Sequence, residues 1–586
     1  MMRTRWWFAP ALMLALVLPA DRFRADGSVL QAGQGAEAAR DPYRIASICL
    51  PRAAAERAPI AVSNGAELQQ ALDRANAGDT IALAPGATFL PAVGNSFVLR
   101  NRRVPEGEWI TIRSADSAFD ATGAVPPAMR VDPRNQGVMP RIRATMNIPV
   151  IRTEERASGY RLIGLDIGVD ARVTQVTNLV DLGSDSRTAD TQPADIVIDR
   201  CYLHGNDAGN YRRGVALNGT RLSVIDSYFE NFHDANSDSQ AIAGWSGRGP
   251  FKIVNNFLEA ASENIMFGGA DPSISGLVPA DIEIRGNLST KRLSWRAAGV
   301  AVKNAFELKN ARRVLIDGNI FENVWPGGQD GTAIVLKSAN QDGACTWCVT
   351  EYVTFRNNIV RNASNGLLIN AAETGARGQT LPQPANHIRI QNVLFTDIGG
   401  PTWGGGKLFR VLGGVSHVEI THVTSTSNPN GILDPRSPND LNPNLVFKYN
   451  IVERQYYGIG AGGDEGITTV TRNFSPYVYN QNVLVNTSRT TDQAITDAAL
   501  KSRYPPVTTI ASDWRAVGFA SGSQRLSTTS PYYRTGEDGK DLGVDVDDLT
   551  AAIEGKAKSF ACGVVEKPEP PERKRPKQDG RPGSFP

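Results

Sequence analysis

The chain predicts an all-β solenoid of the parallel β-helix type, preceded by a short N-terminal capping helix. Three observations lead there: a strand-like phrase that recurs at an imperfect period, the absence of any helical-length pattern within the repeats, and one amphipathic run ahead of them. The phrase returns ten times between Ile196 and Val485, in forms such as IVIDRCYL, FKIVNNFL, VLIDGNIF and VFKYNIV. Aligned on the small polar residue at its middle, it places Cys201, Ser227, Asn256, Asn287, Asn319, Asn358, Asn392, His422, Asn450 and Asn482 at one position. The gaps are 26, 29, 31, 32, 39, 34, 30, 28 and 32 residues. A period of this size with variable gaps describes coils that bury their apolar faces only against their neighbours.

Each phrase is rich in Ile, Val and Phe and is bounded by Gly, Asn, Asp and Ser, which is strand chemistry with turn chemistry at its ends. Stacked turns about 4.8 Å apart align equivalent residues along the long axis, so the asparagines are expected to form a structural ladder rather than a catalytic set. WITIRS (Trp109 to Ser114), PVIRT and YRLIGLDIG look like earlier turns, which starts the solenoid near Thr80. The longest gaps lie between Asn287 and Asn392, so the loops expected to build a binding face fall there.

The ends carry different chemistry. Arg3 and Arg5, an apolar run from Trp6 to Leu18 and the small Ala20 read as a signal peptide over residues 1–20. A secreted, periplasmic or cell-surface protein with no integral membrane span after cleavage is therefore expected. Residues 21–59 read as a poorly ordered lead-in, 60–562 as the β-helix domain, and 563–586 as a disordered tail rich in Pro and Lys. Within the domain, 60–80 is the N-terminal cap and about 503–562 the C-terminal one. Five cysteines do not make a disulfide scaffold. Cys49 and Cys562 could join the ends of the folded region, Cys345 and Cys348 read as a small loop disulfide, and Cys201 as a packed thiol. A formal charge of +2 with dispersed basic residues gives no case for nucleic acid, and a monomer is expected.

In AVSNGAELQQALDRANAGDTIALAPGATF, Leu68, Ala71, Leu72 and Ala75 fall on one helical face, with Asn64 as N-cap and Gly78 as stop. This phrase resembles the N-terminal cap of right-handed parallel β-helix proteins of the pectin-lyase-like superfamily, and SPYYRTGEDGKDLGVDVDDL resembles their closing segment. The resemblance implies the right-handed coil. It does not choose between polysaccharide lyases, glycoside hydrolases and non-catalytic members.

The candidate site comes from the strand ahead of the aligned phrase. In NAFELKN, Phe306 and Leu308 alternate with Glu307 and Lys309; in AIVLKS, Ile334 and Leu336 alternate with Val335 and Lys337. Apolar groups inward put Glu307, Lys309 and Lys337 outward, with Arg410 close by. Adding Lys303, Arg296, Trp295 and Trp325 gives an outward stripe of cations and aromatics suited to an acidic glycan. The favoured reaction is β-elimination on a uronate polymer, with Lys309 or Lys337 as base and Glu307 and Arg410 beside it. Two ammonium groups about 8 Å apart repel by roughly 2 kcal/mol, about 1.5 pK units, which Glu307 opposes. Desolvation or a bound cation would have to add to it, and Ca2+ is the cofactor candidate. The alternatives are a non-catalytic glycan-binding or cell-surface structural solenoid, and an inverting glycoside hydrolase in which Glu263, Asp271, Glu307 and Asp330 converge. SENIMFGGADP, with Glu263, is similar to the acidic strand of the chondroitinase-B-like and alginate lyases; where they have a lysine shortly downstream, Gly268, Gly269 and Ala270 stand here. The Asn-Thr-Asp and Gly-His-Gly motifs of polygalacturonases and the WxDH motif of pectate lyases are absent. His204 and His233 read as solvated loop histidines. Asp234, Asn236 and Asp238 read as a polar turn rather than a calcium site, and no residue is assigned as a metal ligand.

Overall fold

A computed structural model describes residues 41–50, 57–375, 380–436, 441–461, 463–488 and 494–555. Two compact units divide the chain, the first ending at Arg44 and the second starting at Ile45. Of the first, only a turn at Pro42-Tyr43 is described. The expected signal peptide, the tail, Cys562 and most of the lead-in lie outside the described residues.

The second unit is a right-handed parallel β-helix. Eleven turns contribute one strand to each of three sheets, called I, II and III in the order the chain visits them, and the end turns add further strands to I and II, for 14, 14 and 11 strands among the described residues. Strands within each sheet pair only in parallel, turn upon turn, as Ile196↔Leu222 and Leu222↔Phe251 do in sheet I. Ile, Val, Leu and Phe from all three sheets meet in one continuous core, from Val62 to Tyr504. The coil begins one strand earlier than Thr80, because Ile60–Val62 pairs with Thr80–Leu83. A ten-residue helix, Gly65–Arg74, lies against this first turn with Leu68, Ala71 and Leu72 buried; the Asn64 side chain accepts the Glu67 amide at its start.

The corner between sheets I and II carries the ladder. The Asn256, Asn287 and Asn319 amides each donate to the side-chain oxygen of the next asparagine, at 2.9, 2.9 and 2.8 Å. Each side-chain amide also reaches back to a sheet I carbonyl, Asn287 to Ile253 at 2.9 Å. Every rung thus satisfies backbone groups that the corner would otherwise bury unpaired. The register corrects the sequence alignment at two turns. Gln391 pairs with Arg356 and with Thr421, so the ladder positions there are Val393 and Val423, while Asn392 and His422 stand one residue earlier. That earlier column is left-handed backbone, with φ of 53° at both residues, and it holds Gly286 and Gly318 in neighbouring turns. Aligning on Asn rather than on the inward apolar positions causes the slip, because Asn suits both the ladder and the left-handed site.

The expected closing segment has a different task. The far end of the core is covered by the helix Ile467–Phe474, with Val470 and Phe474 buried, and by Leu500 and Tyr504. Residues 535–554 instead run back along the outside of the sheet I–II corner. The Gly543 and Val544 amides bond Tyr449 O and Thr424 Oγ1 at 2.7 and 2.8 Å, and Asp545 bonds Asn392 Oδ1 at 2.6 Å. Val544 and Leu549 pack on Leu394. The lead-in is likewise not all loose: Ala46 bonds Asp281 at 3.1 Å, and the buried Lys252 reaches Ile48 O at 3.3 Å and Glu283 at 2.9 Å. His204 is not a solvated loop residue either, for its Nε2 lies 2.9 Å from the fully buried Asp166 and its ring stacks on Tyr202.

The corrected register has a measurable consequence. Asn287→Ala removes several fully buried hydrogen bonds and should cost about 3 kcal/mol in chemical denaturation, whereas Asn392→Gly keeps the left-handed backbone, loses only part-buried bonds to Asn357 and Asp545, and should cost about 1 kcal/mol. Equal losses would return Asn392 to the ladder.

Candidate functional site

Sheet III places the candidate residues. The strands Glu263–Phe267, Phe306–Leu308, Thr332–Asn340, Asn365–Thr374 and Lys407–Leu412 stack in order. Ile265, Phe306, Ile334, Leu367 and Phe409 form one inward column. Met266, Glu307, Val335, Leu368 and Arg410 form the neighbouring outward column, and the pairing of Leu308 with Leu336 brings Lys309 beside Lys337. The alternation read from the sequence holds in these strands.

The expected open stripe does not. Loops cover this face, and Glu307 is 1% exposed and Lys337 9%. Lys337 Nζ lies 2.9 Å from Glu307 Oε1 and 2.6 Å from Glu373 Oε1. The first contact is an ion pair outside hydrogen-bond angles. Lys309 Nζ stands 3.9 Å from Glu307 Oε2 and 3.4 Å from Gln341 Oε1. The two lysines therefore share a carboxylate instead of simply repelling. Burial alone would lower the Lys337 pKa, but Glu307 and Glu373 overcome it and hold the group well above the usual lysine range. This removes Lys337 as a base near neutral pH and makes it a fixed cation.

Glu263 enters from the preceding turn. Its Oε2 accepts from Gln240 at 2.7 Å, and its carboxyl is within hydrogen-bonding reach of Glu307. Burial first, and then the Glu307 charge, push Glu263 up to about 7. Burial would raise Glu307 as well, but Lys309 and Lys337 outweigh it and lower its pKa. Of the two, Glu263 is therefore the carboxyl that takes up a proton near neutral pH. Behind it, the buried Lys291 points its Nζ at Ala260 O, Ser262 O, Asn264 Oδ1 and Asn304 O, at 2.7–2.9 Å. Burial pulls Lys291 down to about 7, yet four acceptors suit an ammonium better than an amine with two N–H groups. Lys291 fixes the turns that carry Glu263 and Lys303. Lys303 itself pairs with Asp238.

The other expected site residues lie elsewhere or serve the scaffold. Arg410 is three turns from Glu307, about 14 Å along the axis, and is bound to Asp330 at 2.7 Å. Trp295 and Trp325 are buried against Ala261 and Val302, so they are not platforms for sugar rings. Arg296 bonds Thr402 O at 2.7 Å and lies over Trp403. Asp271 clamps the Gln341, Ala344 and Cys345 amides at 2.9, 2.8 and 3.1 Å, ordering the loop that carries the Cys345–Cys348 disulfide. Of the four carboxylates expected to converge, only Glu263 and Glu307 meet. Gly268 has φ of 99°, and a Cβ there would stand 2.7 Å from Lys309 Cβ, so the chain leaves its strand beside Lys309 only as glycine. Asp234 accepts the Asn236 and Ser237 amides at 2.8 and 3.1 Å, which is turn geometry. Among the described residues no three His, Cys, Asp or Glu side chains are placed to hold a metal.

Glu373 and Lys291 escaped the sequence reading. No alternation in NAAET marks Glu373, and Lys291 follows its strand with no local pattern.

No family model matches the chain, and no curated protein matches it. Among solved structures it is similar to the PL6 family alginate lyase AlyGC, at 13% identity and a TM-score of 0.49, over 88% of this chain and 60% of that one. It is also similar to a mannuronic-acid-specific family 6 lyase from human gut microbiota (10% identity, TM-score 0.37, 78% and 92% of the two chains). A third is the A-module of mannuronan C-5 epimerase AlgE6 of Azotobacter vinelandii (12%, 0.36, 77% and 97%). The chain spans 60% of the length of the first of these. The β-helix assignment rests on the three sheets, and the chemistry on the residues of this chain.

The Glu263 proton sets a pH dependence. The folded-state pKa of Glu263, about 7, lies above the 4.5 of a free glutamate, so the folded protein binds the proton more tightly and loses stability as pH rises through that window. The total is about 3 kcal/mol. Urea midpoints between pH 4.5 and 8 should fall with pH in the wild type and fall less steeply in Glu263→Gln, where Asp226, also raised to about 7 by burial, keeps its own share of the slope; the same slope in both would place the proton elsewhere.

Proposed function

We propose that this is an exported enzyme that cleaves an acidic polysaccharide by β-elimination on the outer face of sheet III. The observation that carries the reading is the division of labour between two adjacent lysines. Lys337, bracketed by Glu307 and Glu373, stays cationic and is suited to neutralise a uronate carboxylate. Lys309 has Glu307 no nearer than 3.9 Å and is suited to take the C5 proton. The electron pair left at C5 forms the C4–C5 double bond and expels the C4 oxygen, which is protonated to give a new chain end. Export rests on Arg3, Arg5 and the apolar run that follows them. No helix among the described residues is long and apolar enough to cross a membrane.

Hydrolysis by Glu263 and Glu307 is a poorer fit. Glycoside hydrolases separate their carboxyls by about 5–5.5 Å for retention or 6.5–9.5 Å for inversion, whereas this pair is in hydrogen-bonding reach and buried.

Mature protein incubated with alginate, pectate, chondroitin, hyaluronan and neutral glucans, with and without Ca2+, should raise ultraviolet absorbance from unsaturated uronate on at least one acidic polymer. Lys309→Ala should lower that rate by about 10²–10⁴-fold. Reducing ends without absorbance would move the chemistry to the carboxylates, and silence on every glycan would leave a binding solenoid.

A further inference from the structure

We propose that Glu373 occupies the seat of a ligand carboxylate on Lys337, so that an acidic sugar binds by displacing it. This rests on the reading of sheet III as a glycan site and adds the residue that guards the seat. The two carboxylates on Lys337 are not equivalent. Glu307 sits on a regular strand, 1% exposed, and is tied to Lys309 and Glu263 as well. Glu373 is 37% exposed and lies on the solvent side of Lys337.

A β-bulge puts it there. Lys337 pairs with Asn370, but two residues later Ala339 pairs with Glu373, so the strand Asn365–Thr374 carries one extra residue. In a regular strand Glu373 would fall on the same face as the buried, core-facing Ala371. The extra residue turns it onto the face of Lys337. Bulges re-aim a side chain in this way next to functional sites.

The exchange is electrostatically conservative for one ligand class. A ligand carboxylate replacing Glu373 keeps Lys337 between two anions, with Lys309 at the side to share the second charge. A neutral sugar replacing it would leave a nearly buried ammonium with one carboxylate, which is costly. The seat therefore selects acidic sugars, and Glu373 lowers their apparent affinity by the fraction of time it stays in place. If the seat is covered nine-tenths of the time, freeing it gains about tenfold.

Calorimetric titration of wild type, Glu373→Gln and Glu373→Ala with trigalacturonate, trimannuronate and neutral cellotriose tests this, with thermal melting as the check on folding. Both variants should bind at least one uronate trimer about tenfold more tightly than wild type, with no gain for cellotriose. Unchanged or weaker uronate binding in both folded variants overturns the proposal. If the wild type forms unsaturated product while the variants bind no tighter, the lyase reading stands and the seat falls. If the variants bind uronate more tightly and no protein forms product, the seat stands and the lyase reading falls.

Discussion

Every feature of this molecule depends on the return of the chain to the same corner once per turn. Parallel strands pair through backbone bonds at fixed spacing, so each turn may vary in length but must re-enter sheet I at the same rung. The asparagine ladder enforces that return. From Ser227 to Asn358, each rung takes up the amide before it through a side chain that only the correct register brings into place. Where the ladder carries Val393 and Val423, the outer column and the segment 535–554 take over, with Asn392 and His422 bonded to that segment. The two reinforcements meet at the same corner and hold it from inside and outside.

Because the corner fixes the register, the loops are free to differ, and they decide which side chains meet solvent. On sheet III the insertions around Asp271, Trp295 and Asp330 fold over the outward face. Asp271 clamps one loop, Trp295 and Trp325 anchor another in an apolar cluster, and Arg410 holds Asp330. Residues that look like ligand contacts in a stripe of sequence are thus partly spent on building the cover. What remains underneath is a compact array of Glu263, Glu307, Lys309 and Lys337, with Glu373 at its edge.

That array has the electrostatics of a site rather than of a surface. Buried charges persist only when paired, and here each cation has a carboxylate and the surplus negative charge is relieved when Glu263 takes up a proton near neutral pH. The buried Lys291, with four oxygen acceptors, ties the turns on either side. Burial and shared partners set the charge states: Lys337 is fixed as a cation by its two neighbours, while Glu263 titrates close to neutrality.

The repeat, the alternation of Phe306 and Leu308 with Glu307 and Lys309, and the helix at Gly65–Arg74 were legible because strand and helix periodicity are local properties of side chains. The placing of Asn392 and His422 was not, since Asn is favoured at two adjacent corner positions and only backbone pairing separates them. The cover over sheet III was not legible either, because Trp295 and Trp325 have the same composition whether they face a sugar or Val302. Glu373 depends on a single extra residue in one strand, visible only when that strand is laid beside its neighbour. The sequence by itself determined the coil, its repeat and which faces of the strands are apolar, since these follow from periodicity. Only the tertiary structure decided which outward charges are buried together and in what protonation state, since that depends on distances between residues from different turns.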